Sequence, residues 1–210
     1  MTEDTDKQYK LMNLKISDLH KDPIVQFQKW YKRVLQTKIL FPNAFILSTS
    51  NKNGLPSSRV LLLKDLDDNG FKFYTNEYSR KGIDLKENPN ASICFWWDKL
   101  ERQVRIDGKV TLLKDKESDE YFATRPRESQ LGAWASDQST IIESRKILEI
   151  NYKKYDKKFA NTKIPRPDYW KGYKLRPNVF EFWQGRVNRL HDRFRYVKKN
   201  NLWSIERLAP

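Results

Sequence analysis

The chain has 210 residues and a net charge of +14, with 38% hydrophobic, 13% aromatic and 32% charged residues. This is enough apolar mass for one packed domain, and no apolar run approaches the ~20 residues that span a bilayer. The only cysteine, Cys94, excludes an intramolecular disulfide and fits a reducing, cytoplasmic compartment, and the two histidines lie too far from it and from each other for metal-ligand spacing.

Residues 1–20 are polar, without the apolar core of a secretory signal, and are expected to form a mobile arm ahead of one domain, 21–210. Asp22-Pro23 reads as the N-cap and first residue of a helix. Ile24, Phe27, Trp30, Tyr31, Val34 and Leu35 continue it at helical spacing to about Lys38. Strands are then predicted over 44–50, 57–64 and 71–76, separated by the turns NKNG and DDNG. Ser79 is placed to cap a short helix that stops before Pro89. ASICFWW (91–97) reads as a buried strand and RQVRIDGKVTLL (102–113) as a longer one. Helices are expected over 116–125 and 139–159, with a loop over 161–172. The last strands are 174–184, 189–197 and 202–208. The pattern is mainly β (α+β): antiparallel strands with flanking helices, forming a closed or split barrel or else a sandwich.

The seven glycines form no G-x-G-x-x-G or P-loop, so a phosphate ligand must be held by side chains. RVLLLK (59–64) is a strand with a cation at each end, either solvated or touching ligands. Arg80 and Lys81 open a helix, where the dipole disfavours cations unless an anion joins them. Gln103 sits between arginines and can both donate and accept. Tyr121 and Arg125 share a helix face, and with Ser129 they suit a phosphate, although an arginine at a helix C-terminus is also ordinary. Gln138 and Ser139 add neutral donors. The stretch EFWQGRVNRLHDRF (181–194) is densest in chemistry. If 188–193 is extended, Arg189, His191 and Arg193 line one face, repelling each other unless an anionic or electron-rich group lies against them. The bland alternative is a solvated basic hairpin edge.

The strings RVLLLK, FYTN-x-x-SRK, RQVR, YF-x-x-RP-x-x-SQ-x-GAW, QS, EFWQG, RLHDRF and RLAP occur in one order from about Asn43 to Pro210. In this the chain resembles the pyridoxine/pyridoxamine 5'-phosphate oxidase family, flavoenzymes with an FMN-binding, Greek-key-like split β-barrel. The resemblance implies FMN held by Arg59, Val60, Leu61, Leu62, Leu63, Lys64, Tyr74, Thr75, Arg80, Lys81, Gln103, Gln138, Ser139, Trp183 and Arg193. It implies a substrate phosphate at Lys64, Tyr121, Arg125 and Ser129. The pyridine ring would meet Arg189, Leu190 and His191, with Arg189 and His191 catalytic and able to assist proton removal, and Tyr9 closing over it. The implied reaction oxidises pyridoxine 5'-phosphate or pyridoxamine 5'-phosphate to pyridoxal 5'-phosphate with O2, releasing H2O2, in a homodimer with FMN at the interface. No metal, membrane or nucleic-acid partner is implied.

The sequence departs from the family pattern at Phe41, where an acid is usual, at Lys171 within WKGY, and in the arm, where Met12, Asn13 and Lys15-Ile16 replace a glycine pair and basic cluster. Two other readings stand beside the oxidase. One is a basic nucleic-acid-binding barrel, since +14 makes nucleic acid a candidate partner, although acids are interleaved with the bases almost everywhere. The other is a non-catalytic flavin- or pyridoxal-phosphate-binding protein of the same fold.

Overall fold

The computed structural model describes residues 12–200 and 202–210. Its elements are α1 (Pro23–Val34), β1 (Ala44–Ser50), β2 (Pro56–Leu62), β3 (Asp65–Asp67), β4 (Gly70–Asn76), α2 (Arg80–Glu87), β5 (Asn90–Trp97), β6 (Arg102–Leu112), α3 (Asp115–Ala123), α4 (Arg127–Ala135), α5 (Arg145–Lys158), β7 (Trp170–Gln184), β8 (Asp192–Lys199) and β9 (Leu202–Leu208). Every strand pairing is antiparallel, in the order β2-β1-β5-β6-β7-β4-β3, with β8 and β9 extending outward from β7. The sheet curls until its ends meet. Leu63 donates its amide to the Asn43 carbonyl, and Lys64 donates to the Lys72 carbonyl, so the chain leaves β1 and joins β4 within two residues. The result is an antiparallel split barrel with flanking helices.

Alternation along the strands turns aromatic residues inward. Phe45, Phe71, Phe73, Phe95, Trp97, Phe180, Phe182 and Phe194 are buried in one core. Helix α1 plugs its open side. The Asp22 carboxylate caps it by accepting from the Ile24 amide at 2.8 Å, and Phe27 lies 5.0 Å from the rings of both Phe71 and Phe95. A second, smaller cluster of Phe122, Leu131, Phe159, Ile164 and Trp170 holds α3, α4 and α5 against the outside of β4 and β7.

The structure revises several sequence expectations. Strand 57–64 stops at Leu62, because the next two residues change partners and feed the unpredicted β3. Helix 139–159 begins only at Arg145; Ser139 has φ 74°, and the unpredicted α4 precedes it, started by Pro126. The predicted loop ends early, with β7 opening at Trp170. Residues 12–20, assigned to the arm, lie against the barrel. Leu14 is buried with its amide 3.1 Å from the Asp192 carboxylate, and Tyr196 donates to the His20 carbonyl at 2.8 Å. Tyr9 lies outside the described residues. No helix among the described residues is long and apolar enough to cross a membrane, and none of their His, Cys, Asp and Glu side chains cluster as a metal site.

Candidate functional site

The expected site residues fall into two groups. The first surrounds a cavity of about 670 Å³ where the end of β2 meets β4 and the α3–α4 corner. Val60, Leu61, Leu62 and Lys64 form one wall, Tyr74 and Thr75 the next, and Tyr121, Arg125, Ser129 and Gln138 the third. Leu63 does not line this cavity and is buried in the barrel core. α3 ends at Ala123, two residues before Arg125, so Arg125 does not share a helix face with Tyr121 as expected; it lines the cavity from the corner before Pro126, and Ser129 from the first turn of α4.

The cavity is built for anions. The Arg125 guanidinium lies 4.8 Å over the Trp170 ring, and its Nη1 is buried without a hydrogen-bond partner among the described residues. A buried donor left unsatisfied costs on the order of 1–3 kcal/mol, which a ligand oxygen would recover. Burial also lowers the Arg125 pKa, partly opposed by Tyr121. Next to the cavity, the buried Lys81 Nζ donates to Thr75 Oγ1 at 3.2 Å, Ser79 Oγ at 3.0 Å and Gln138 Oε1 at 2.9 Å, all neutral oxygens. Its pKa is pushed down to about 8, first by burial and then by the Arg59 charge, with Asp84 opposing. Arg59 donates to Thr49 Oγ1 at 2.7 Å and to Ser57, and stands 3.9 Å from Asp84. Two cations that repel each other, one of them buried among neutral oxygens, share the single nearby carboxylate of Asp84 and so leave a net positive charge beside the cavity. Ser79 occupies the helix N-cap but does not cap through its side chain; its hydroxyl donates to the Asn76 carbonyl and accepts from Lys81. Arg80 and Ser139 are exposed and do not line the cavity.

The second group lies on the outer face of the barrel. Trp96 pairs with Gln103, Gln103 with Trp183, and Trp183 with Arg193, a lateral row across β5, β6, β7 and β8. The row is outward because its neighbours Phe95, Val104, Phe182 and Phe194 are core residues. Arg193 is bound by Glu181 (Nε to Oε1 2.9 Å) and by the Ala209 carbonyl at 2.8 Å. The His191 ring lies 4.5 Å from Trp183, and its Nδ1 accepts from the Arg186 amide at 3.1 Å. That bond places the proton of the neutral ring on Nε2. Burial, then Arg189 and Arg193, lower its pKa, which favours the neutral ring.

The expectation of an extended 188–193 segment is corrected here. Val187–Arg189 form a tight turn in which Asn188 (φ 57°) and Arg189 (φ 59°) are left-handed, and β8 starts only at Asp192. Asparagine tolerates this region and arginine less so. Arg189 and Leu190 therefore project from an exposed turn rather than sharing a strand face with Arg193. None of this second group lines the cavity.

Sequence reasoning missed Trp170, Asn76, Thr124, Gly132, Ala133 and Ser136 in the cavity wall, and Glu181 as the partner of Arg193. The WKGY string held the signal for Trp170: Gly172 follows because a Cβ there would meet Tyr74 Cε1 at 2.7 Å. Lys171, a departure from the family pattern, points away to Asp115 at 2.9 Å.

Two family models match the chain: pyridoxamine 5'-phosphate oxidase over residues 32–159 and the pyridoxine 5'-phosphate oxidase C-terminal dimerisation region over 170–210. Proteins named pyridoxine/pyridoxamine 5'-phosphate oxidase from a Nostoc species and from Paraburkholderia phymatum are 48% and 46% identical over 208 residues. The alignments cover 99% of this chain and 97% and 98% of theirs. Among solved structures, PhzG from Burkholderia lata, in complex with tetrahydrophenazine-1-carboxylic acid, superposes with a TM-score of 0.89 at 30% identity, covering 95% of this chain and 99% of that one. A pyridoxamine 5'-phosphate oxidase-related, FMN-binding protein from Nostoc punctiforme shares the fold with a TM-score of 0.72 at 18% identity, covering 95% and 100%.

Proposed function

The chain belongs to the pyridoxamine 5'-phosphate oxidase family, with FMN as cofactor, and on that premise we propose that it oxidises pyridoxine 5'-phosphate and pyridoxamine 5'-phosphate to pyridoxal 5'-phosphate. Electrons pass to O2, which leaves as H2O2; the amine substrate also consumes one water and releases ammonia, and the enzyme works in the cytoplasm as a homodimer. The observation that carries this reading is the buried Nη1 of Arg125, unpartnered among the described residues, in a cavity that also presents Lys64, Tyr121 and Ser129. That donor set fits a phosphate ester.

When bound, FMN supplies the two-electron acceptor. Arg59, Lys81, Thr75 and Gln138 would hold its phosphate, and the strand Val60–Leu62 would flank it. Lys64, Tyr121, Arg125 and Ser129 bind the substrate phosphate and fix the distance of the pyridine C4' substituent from the cofactor. The row Gln103, Trp183 and Arg193, together with the Arg189–His191 turn, would meet the flavin from the partner copy. Arg189 steers the pyridine oxygen by charge. His191, whose Nδ1 already accepts from Arg186, acts as a hydrogen-bond donor through Nε2 rather than as a base.

A second reading follows from the PhzG structure: Arg125 would also accept an aromatic carboxylate. The two flanking hydroxyls and Lys64 favour the phosphate. The test is purification followed by anaerobic stopped flow. The protein is expected to be yellow, with about one FMN per chain, and both vitamin B6 phosphates should bleach it. A colourless protein that FMN does not titrate, particularly one binding nucleic acid with steep salt dependence, would end the oxidase reading. A yellow protein that the phosphates leave oxidised would fit the non-catalytic reading instead.

A further inference from the structure

The cavity floor is a group of three rings contributed by three elements. Tyr74 lies nearly parallel to Tyr121, centroids 4.1 Å apart and planes at 14°, and to Trp170 at 5.0 Å and 9°, while Tyr121 and Trp170 are themselves 6.1 Å apart at 8°, so each ring neighbours the other two. Arg125 rests on this group, its Cζ 4.8 Å from the Trp170 centroid and 5.5 Å from that of Phe122. Among the described residues no carboxylate lies within ion-pair distance of Arg125. Two other arginines implied in ligand binding differ: Arg193 is bound by Glu181 at 2.8 Å, and Arg59 stands 3.9 Å from Asp84.

The difference has a physical consequence. A carboxylate that holds an arginine also cancels much of its charge, and an incoming phosphate must compete with it. A π face attracts the guanidinium through its quadrupole without occupying the in-plane N–H groups. The cation is thus immobilised while its charge and donors stay available, and here one donor, Nη1, is buried with no partner among the described residues. Trp170 itself is held firmly. Its amide donates to the Pro167 carbonyl at 2.9 Å, its carbonyl accepts from Arg166 at 2.8 Å, and the adjoining β7 backbone pairs with Asn76.

We propose that Trp170 is a positioning residue for the substrate's phosphate: its indole face holds the Arg125 guanidinium where a carboxylate would otherwise be needed, so that the full charge of Arg125 meets the anion. This deepens, and rests on, the oxidase reading of the same cavity.

The holoenzyme is compared with Trp170→Phe and Trp170→Leu, by steady-state kinetics with pyridoxamine 5'-phosphate and by spectral titration with pyridoxal 5'-phosphate and with phosphate-free pyridoxal. Trp170→Leu is expected to raise KM and the Kd for pyridoxal 5'-phosphate roughly 10- to 30-fold, the size of a desolvated cation–π contact. kcat at saturation is expected to change much less than KM, and FMN content and pyridoxal binding much less than the Kd for pyridoxal 5'-phosphate. Trp170→Phe, with a weaker quadrupole, should fall between, and it alone decides the matter if the leucine variant does not fold. On an Arg125→Ala background, Trp170→Leu should add nothing. Wild-type phosphate affinity in these variants overturns the proposal, as does equal weakening of the phosphorylated and phosphate-free ligands, which would mark a merely structural ring. If the wild-type protein neither binds nor oxidises vitamin B6 phosphates, the oxidase reading fails, and titration of the same variants with inorganic phosphate judges Trp170 separately.

Discussion

Lys81 is a cation buried among hydroxyl and amide oxygens, and its titration should be visible in cofactor binding. With its folded pKa depressed to about 8 against 10.5 in the unfolded chain, the apoprotein keeps this charge below pH 8 and loses it above. A phosphate dianion binds the charged form. FMN affinity is therefore expected to be level below about pH 8 and to fall above it by up to about tenfold per pH unit, until the higher pKa of the complex is reached. The stability of the apoprotein runs the other way: between 8 and 10.5 the unfolded chain holds the proton that the native state has released, so stability rises with pH. Fluorescence titration of apoprotein with FMN from pH 7 to pH 10 checks this, and Lys81→Met should bind weakly with the slope gone. At the same scale, sequence parity misplaced Arg189. The rule that side chains two apart share a face holds only for extended backbone, and Asn188 and Arg189 are left-handed.

Helix α1 is the element on which the barrel's interior depends. It was legible because its cap, its N1 proline and its apolar spacing agree. Phe27 is fully buried and touches the rings of Phe71, Phe95 and Trp97, which arrive from β4 and β5. Phe27→Ala is expected to cost about 3–5 kcal/mol by leaving a cavity among rings that cannot collapse into it. Urea unfolding of the holoprotein, with FMN fluorescence and tryptophan emission followed together, measures that loss. A value under about 1 kcal/mol would mean that α1 is not integral to the core. Helix α4 was not legible. RESQLGAWA has a weak apolar face, and its position is set by Pro126 and by packing of Leu131 against Phe122 and Trp170 in the smaller cluster.

At the scale of the molecule, the site residues form two groups that one chain does not bring together: an anion-binding cavity and an outward row beside the Arg189 turn. The match of residues 170–210 to a dimerisation region covers Trp183, Arg193 and the Arg189 turn of the second group, with Gln103 and Trp96 beside them on β6 and β5. If two copies build each site, variants damaged in different groups should rescue each other. Arg125→Ala and Arg189→Ala are each expected to lose turnover by about 2–4 kcal/mol of transition-state stabilisation. When the two are unfolded and refolded together, half the dimers are mixed and each mixed dimer holds one intact site, so about a quarter of wild-type activity should return. Activity no greater than that of either variant alone would place both groups in one chain's own site.

Strand parity and capping signals in the sequence determined antiparallel strands with flanking helices, because they are local properties that the backbone must obey wherever the segment lands, while the ordered motifs, through the family resemblance they carry, supplied the split barrel and most side chains of the cavity. It also carried the anion preference, through Tyr121, Arg125 and Ser129 close together around Pro126 and the two cations Arg80 and Lys81 at a helix N-terminus. Only the tertiary structure decided that Arg125 is held by Trp170, 45 positions along the chain, while Arg193 is held by Glu181. It alone separated Gln103, Trp183 and Arg193 from the cavity, buried Lys81 and turned Arg189 out on a left-handed bend. These are outcomes of which distant surfaces meet when the sheet curls, and no local propensity encodes them.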